Sequence, residues 1–154
     1  MSYDPTVAMR ALESFLAASG LVSLAQISEP KSPPDAPAGK IAAAIFMDES
    51  EIVATTIDGQ TIELHTAIIR LTGGFLDEPA GDNELALAAS VNAIVAAILT
   101  DADLGGTIRT IDFAGHYGRR IRSRWGYIDL GGTMFRSVDT EIPMLVDGNA
   151  SATP

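Results

Sequence analysis

Trp125-Gly-Tyr-Ile-Asp-Leu-Gly-Gly-Thr-Met-Phe-Arg-Ser-Val138 is the stretch that decides the fold. Apolar and β-branched runs stand on either side of Gly131-Gly132, and two successive glycines accept the positive φ that a tight hairpin turn demands. Trp125 to Leu130 is therefore expected to fold back, antiparallel, on Thr133 to Val146. Pro143, late in the second run, cannot donate to a ladder, which favours an edge position or a strand terminus.

Upstream, Ile41 to Met47 is apolar at nearly every position, as in a strand covered on both faces, and Glu51 to Ile57 leads to a turn at Asp58-Gly59. From Thr61 to Leu71 the alternation first sets Ile62 and Leu64 inward with Glu63 and His65 outward. It then changes phase, so that Ala67, Ile69 and Leu71 share the other face, and a bulge or a second packed layer near Thr66 is the expected cause. Shorter strands are expected near Leu21 to Ile27 and at Thr107 to Asp112. The Gly-Gly pairs at 73, 105 and 131 read as turns, since none carries the lysine frame of a phosphate-binding loop.

Two helices complete the pattern. Asp4 can cap the first, Pro5 suits its first position and Gly20 its end, while Val7, Ala11, Leu12, Phe15 and Leu16 form one apolar stripe. Asp82 can cap the second, which runs to about Thr100. Leu87, Val91, Ile94 and Ile98 lie on one side of it and Leu85 and Leu99 well away, so burial on more than one face is expected. The order helix, strands, helix, strands gives an α+β fold, an antiparallel sheet with two main helices packed against it. It forms a single domain over residues 1–147, followed by a tail, 148–154, without core-forming residues. Glu29-Pro-Lys-Ser-Pro-Pro-Asp-Ala-Pro37 forbids helix and central strand, and is expected to be an exposed loop or an arm reaching a neighbouring subunit.

A chain of 154 residues can bury about 68 to 70% of its unfolded surface in one core. It contains no cysteine, which excludes disulfides, thiolate metal sites and a cysteine nucleophile. Hydrophobic residues make up 47% and charged ones only 19%, too little charge to cover a monomer, so some apolar surface is expected to meet a partner. A net charge of -10 repels nucleic acid at long range. No basic-then-apolar leader and no run of about 20 apolar residues is present, so no membrane association is expected.

No catalytic, cofactor or metal site is legible. His65 and His116 lie far apart in no metal-binding spacing, and each reads as a surface or interface histidine. Asp101 and Asp103, with Asp112, could serve acid–base work or a hard cation, but a solvated loop is the expected use. An alternative reading is a small enzyme or ligand-binding barrel that gathers Asp101, Asp103, Asp112, Arg109 and Tyr127 around a pocket. Two features suit a subunit interface instead. Arg119, Arg120, Arg122 and Arg124 concentrate positive charge in an acidic chain, with Arg109 and Arg136 as possible neighbours across the sheet. Ala86, Ser90, Ala93 and Ala97 form a small-residue row that would let another backbone approach closely.

Several stretches, Glu29-Pro-Lys-Ser-Pro-Pro34, Ala44-Ile-Phe-Met-Asp48, Glu63-Leu-His65, Asp103-Leu-Gly-Gly106 and Trp125 to Arg136, resemble the tail terminator proteins of long-tailed bacteriophages, particularly those of actinobacteria. The resemblance covers about Pro5 to Asp147. It implies a structural protein, not an enzyme, that forms a homohexameric ring capping the tail tube, ends its polymerisation and docks to head-completion (connector) proteins. It also implies assembly in the host cytoplasm, residence at the head-proximal end of the virion tail, and genomic DNA passing through the lumen; the net charge of -10 per copy would make that lumen acidic and let DNA pass without specific binding. A tail-tube or head-closure subunit, the alternative, would share the composition, size and α+β architecture.

Overall fold

The computed structural model describes residues 5–22, 24–27, 41–75 and 80–148. The Pro-rich 29–37 segment, the Asp4 cap and the tail beyond 148 lie outside the described residues. Two helices and six strands follow the order α1 (Pro5–Ser19), β1 (Leu24–Ile27), β2 (Ala42–Thr55), β3 (Thr61–Phe75), α2 (Ala80–Thr100), β4 (Thr110–Ile111), β5 (Arg122–Leu130) and β6 (Thr133–Gly148). They build an α+β fold around one mostly antiparallel sheet. The sheet runs β1-β2-β3-β6-β4, with β5 pairing β6 beside β4, and only β1 is parallel to its neighbour.

The β5–β6 hairpin forms as the glycines predict, with Gly131 and Gly132 at φ 64° and 86°. Asp129 fixes the turn by accepting the Gly132 N–H at 2.9 Å. Both helices lie on one face of the sheet. There Leu12 and Leu16 of α1, Ile45 of β2, Ile69 and Leu71 of β3, Leu87, Ile94 and Ile98 of α2, and Val138, Ile142 and Met144 of β6 close one core. The opposite face is laced by ion pairs, including the two-pronged Arg70–Asp139 pair at 2.7 and 2.9 Å.

Several expectations are corrected. Pro143 is neither at an edge nor at an end: it is buried within β6, opposite Thr66. Its carbonyl accepts the Asp112 N–H at 3.0 Å, so its nitrogen faces the same flank, where β5 has stopped at Glu141 and β4 starts at Met144. No ladder bond is lost in that gap. The phase change lies in β2 and not in β3: the register slips between Met47 and Glu49 while β3 runs through Thr66 unbroken. Glu63 and His65 therefore share the core face with Ala67, and Leu64 is buried on the opposite one. Gly73-Gly74 continue β3 instead of turning. On α1 the buried stripe is Ala8, Ala11, Leu12 and Leu16, whereas Val7 is exposed. The 107–112 segment contributes strand only at Thr110–Ile111. No helix among the described residues is long and apolar enough to cross a membrane.

Candidate functional site

The arginine-rich segment begins at Asp112, whose carboxylate accepts the His116 and Tyr117 N–H groups at 3.1 and 3.2 Å and so shapes the turn that launches the chain toward β5. Arg119 then spans the sheet, donating to Asp48 and Glu49 of β2 and to Glu141 of β6. Partial burial works against its charge, but the two β2 carboxylates outweigh that and raise the guanidinium pKa. Arg122 adds a fork on Glu141 at 3.0 and 3.2 Å. Arg120 and Arg124 are exposed, and among the described residues neither makes an ion pair. The four candidate interface arginines are thus divided: two brace their own chain and two face outward.

Arg136 and Arg109 do not join them. Arg136 sits on the helix-bearing face, forked onto Glu84 of α2 at 2.8 and 3.1 Å, with the Tyr127 and Trp125 rings at 4.7 and 5.7 Å. The Glu84 hydrogen bond raises the Arg136 pKa against slight desolvation, and the same bond holds the Glu84 carboxyl below its usual range. Arg109 pairs with Asp147 at 2.9 Å.

Helix α2 departs from its expected burial on more than one face. Leu87, Ile94 and Ile98 are buried, whereas Leu85 is 71% and Leu99 58% exposed. The row Ala86, Ser90, Ala93 and Ala97 lies at the flank, Ala86 exposed and the other three half-buried. Ala97 also lines a groove of about 730 Å³ between α1 and the end of α2, with Phe15, Ala18 and Leu104. The exposed stripe is one position over, through Leu85, Ala89, Asn92, Ala96 and Leu99. No residue from Leu85 to Thr100 is charged.

The groups that an enzyme reading would gather are not brought together. Asp101 accepts the Gly105 N–H at 3.0 Å, Asp112 serves its own turn, Arg109 is tied to Asp147, and Tyr127 stacks on Arg136. What the sequence did not reveal is a buried polar chain: Ser50 Oγ lies 2.8 Å from His65 Nδ1, and His65 Nε2 lies 2.8 Å from Glu63 Oε1. His65, expected at the surface, is fully buried, and so is Glu63. Alternation in β3 could have placed both on the core face, but two polar residues there look like an outward face until their partner is known. With the imidazole sealed from solvent, the chain cross-links β2 to β3. His116 is exposed. Among the described residues no group of three or more His, Cys, Asp or Glu side chains could hold a metal ion.

Compared with known proteins, the chain matches no family model, and no curated protein is recognisably similar to it.

Proposed function

We propose that the protein is a structural, non-catalytic ring subunit of the tail-terminator kind, ending a phage tail tube and joining it to the head-completion proteins. The observation that carries the assembly reading is the outer stripe of α2. Leu85, Ala89, Asn92, Ala96 and Leu99 recur at alternating spacings of four and three, the pattern of a helix seam, in a stretch without a charged residue from Leu85 to Thr100. A net charge of -10 makes such a bare strip unexpected unless another surface covers it. The stretches that resemble tail terminators support the more specific assignment, and the negative charge of several copies around a lumen would let DNA pass without adhering.

The test is the solution mass of the full chain by light scattering, followed by negative-stain imaging alone and with isolated tail tubes. Closed rings of about six copies, free or seated on tube ends, are the expected result. A chain that remains monomeric at high concentration and ignores tube ends would overturn the proposal.

A further inference from the structure

Among the described residues the sheet ends in two open edges. β1 covers β2 only from Ala42 to Ile45, so the outer edge of β2 beyond Ile45 pairs with no strand among the described residues. On the other side β5 pairs with β6 along one flank, and its second flank, from Arg122 to Leu130, meets no strand among the described residues. Open flanks carry rows of unpaired N–H and C=O groups and are ready to accept another strand. Neither contains a proline.

The two edges fit each other. Along β2-β3-β6-β5 every pairing is antiparallel, so β5 runs opposite to β2. Copies set side by side in the same orientation, as in a ring, would therefore bring β5 of one against β2 of the next as an antiparallel pair. Charge matches as well. Glu49 and Glu51 lie opposite Thr66 and Leu64, on the face away from the helices, and Arg122 and Arg124 lie opposite Glu141 and Asp139 on that same face. Two carboxylates two residues apart thus meet two guanidinium groups at the same spacing. Glu51 is exposed and, among the described residues, makes no ion pair, as is the case for Arg124. On the helix-bearing face Ile52, 47% exposed, would meet Ile121.

We infer that copies of this chain join edge to edge, the Ile121–Arg124 stretch at the start of β5 in one pairing antiparallel with the Glu49–Ile52 stretch of β2 in the next, Arg124 opposite Glu49 and Arg122 opposite Glu51, since β1 holds the flank of β2 at Ala42–Ile45 and bars the rest of β5 from it. The register slips before Glu49 and after Ile52 confine the pairing to that stretch. Arg119 already holds Glu49 within its own copy, and a carboxylate has room for a second donor. The inference rests on the ring reading and gives it a contact.

The absence of native cysteine makes the test direct. Directly opposed residues of an antiparallel pair stand about 4.5 to 5.5 Å apart at Cα, within disulfide reach. The full chain carrying Glu51→Cys and Arg122→Cys is oxidised gently and run on denaturing gels, beside each single variant and a Leu85→Cys/Arg122→Cys control, with light scattering on the unmodified chain. The expected result is an oligomer whose double variant gives a ladder of covalent multimers that neither the single variants nor the control gives. An oligomer without the ladder overturns the edge pairing and spares the ring. A chain that gives no ladder and stays monomeric, alone and with isolated tail tubes, overturns both.

Discussion

Glu63 places one carboxylate oxygen 2.8 Å from His65 and leaves the other, among the described residues, without a hydrogen-bond partner, although the side chain is almost wholly buried. A buried pair of this sort contributes little over a well-packed apolar pair, but breaking it strands a polar group in a medium that cannot solvate it. His65→Leu is therefore expected to lower the unfolding free energy by about 3 kcal/mol, while Glu63→Leu/His65→Leu costs clearly less than the two single losses added together. Urea denaturation of the four chains checks this, and additive losses would show that the two residues do not act as a unit. The site is crowded as well: a Cβ on Gly148 would overlap Thr61 Oγ1 and Glu63 Oε2. None of this was legible, because Glu63-Leu-His65 alternates as cleanly for a solvated face as for a satisfied polar core.

Helix α2 was legible in position and in its end, but it starts at Ala80, ahead of the cap expected at Asp82, and its surroundings were not legible. Its apolar periodicity fixes a helix ending at Thr100, and the buried side follows Leu87, Ile94 and Ile98 as read. The sequence cannot say whether the apolar residues on the other side meet their own chain or a second one, and within the chain they meet solvent. Substitutions on the two sides should separate accordingly. Ala96→Glu, on the exposed stripe, is expected to leave monomer stability within about 0.5 kcal/mol and to lower the solution mass of the assembly. Leu87→Ala should instead cost about 2 to 5 kcal/mol of folding stability. Thermal unfolding and light scattering on the same samples distinguish the outcomes, and an Ala96→Glu chain that assembles normally would remove the stripe from the contact. Helix α1 shows the smaller error of this type: its axis is turned so that Ala8 rather than Val7 is covered, a rotation that periodicity alone does not fix.

Across the molecule, arginines tie distant segments together: Arg70 joins β3 to β6, Arg119 joins β2 to β6, and Arg136 joins β6 to α2. The carboxyl of Glu84 sits below its ordinary range because the Arg136 guanidinium favours its charged form. A depressed acid pKa stabilises the fold above the unfolded value, about 4.3 for glutamate, and that contribution disappears as the pH falls through the lower folded value. Tm measured against pH for the parent and for Glu84→Gln is thus expected to show a gap at pH 7 that closes as the solution is acidified below about pH 4. A gap independent of pH would assign the loss to packing. The antiparallel sheet, the hairpin at Gly131-Gly132 and the pairing of helices with sheet were all readable from turn chemistry and period. The strand order was not, since β6 becomes central only because β3 returns to it over a long separation, and local pattern carries no such pairing.

The register slip between Met47 and Glu49 shows how much one position can govern. Because of it, Ser50 and Ile52 look toward the helices and Glu49 and Glu51 away from them. Were Asp48 to take a regular place opposite Thr66, the remainder of β2 would be turned over. His65 would then lose its hydroxyl partner, two carboxylates would be driven beneath the helices, and the acidic rim would vanish from the far side. Asp48 is thus a spare link that decides which side of the strand is lining and which is rim: deleting it would straighten the strand with both sides kept, whereas ironing out the slip with Asp48 in place exchanges the inside of the strand for its outside.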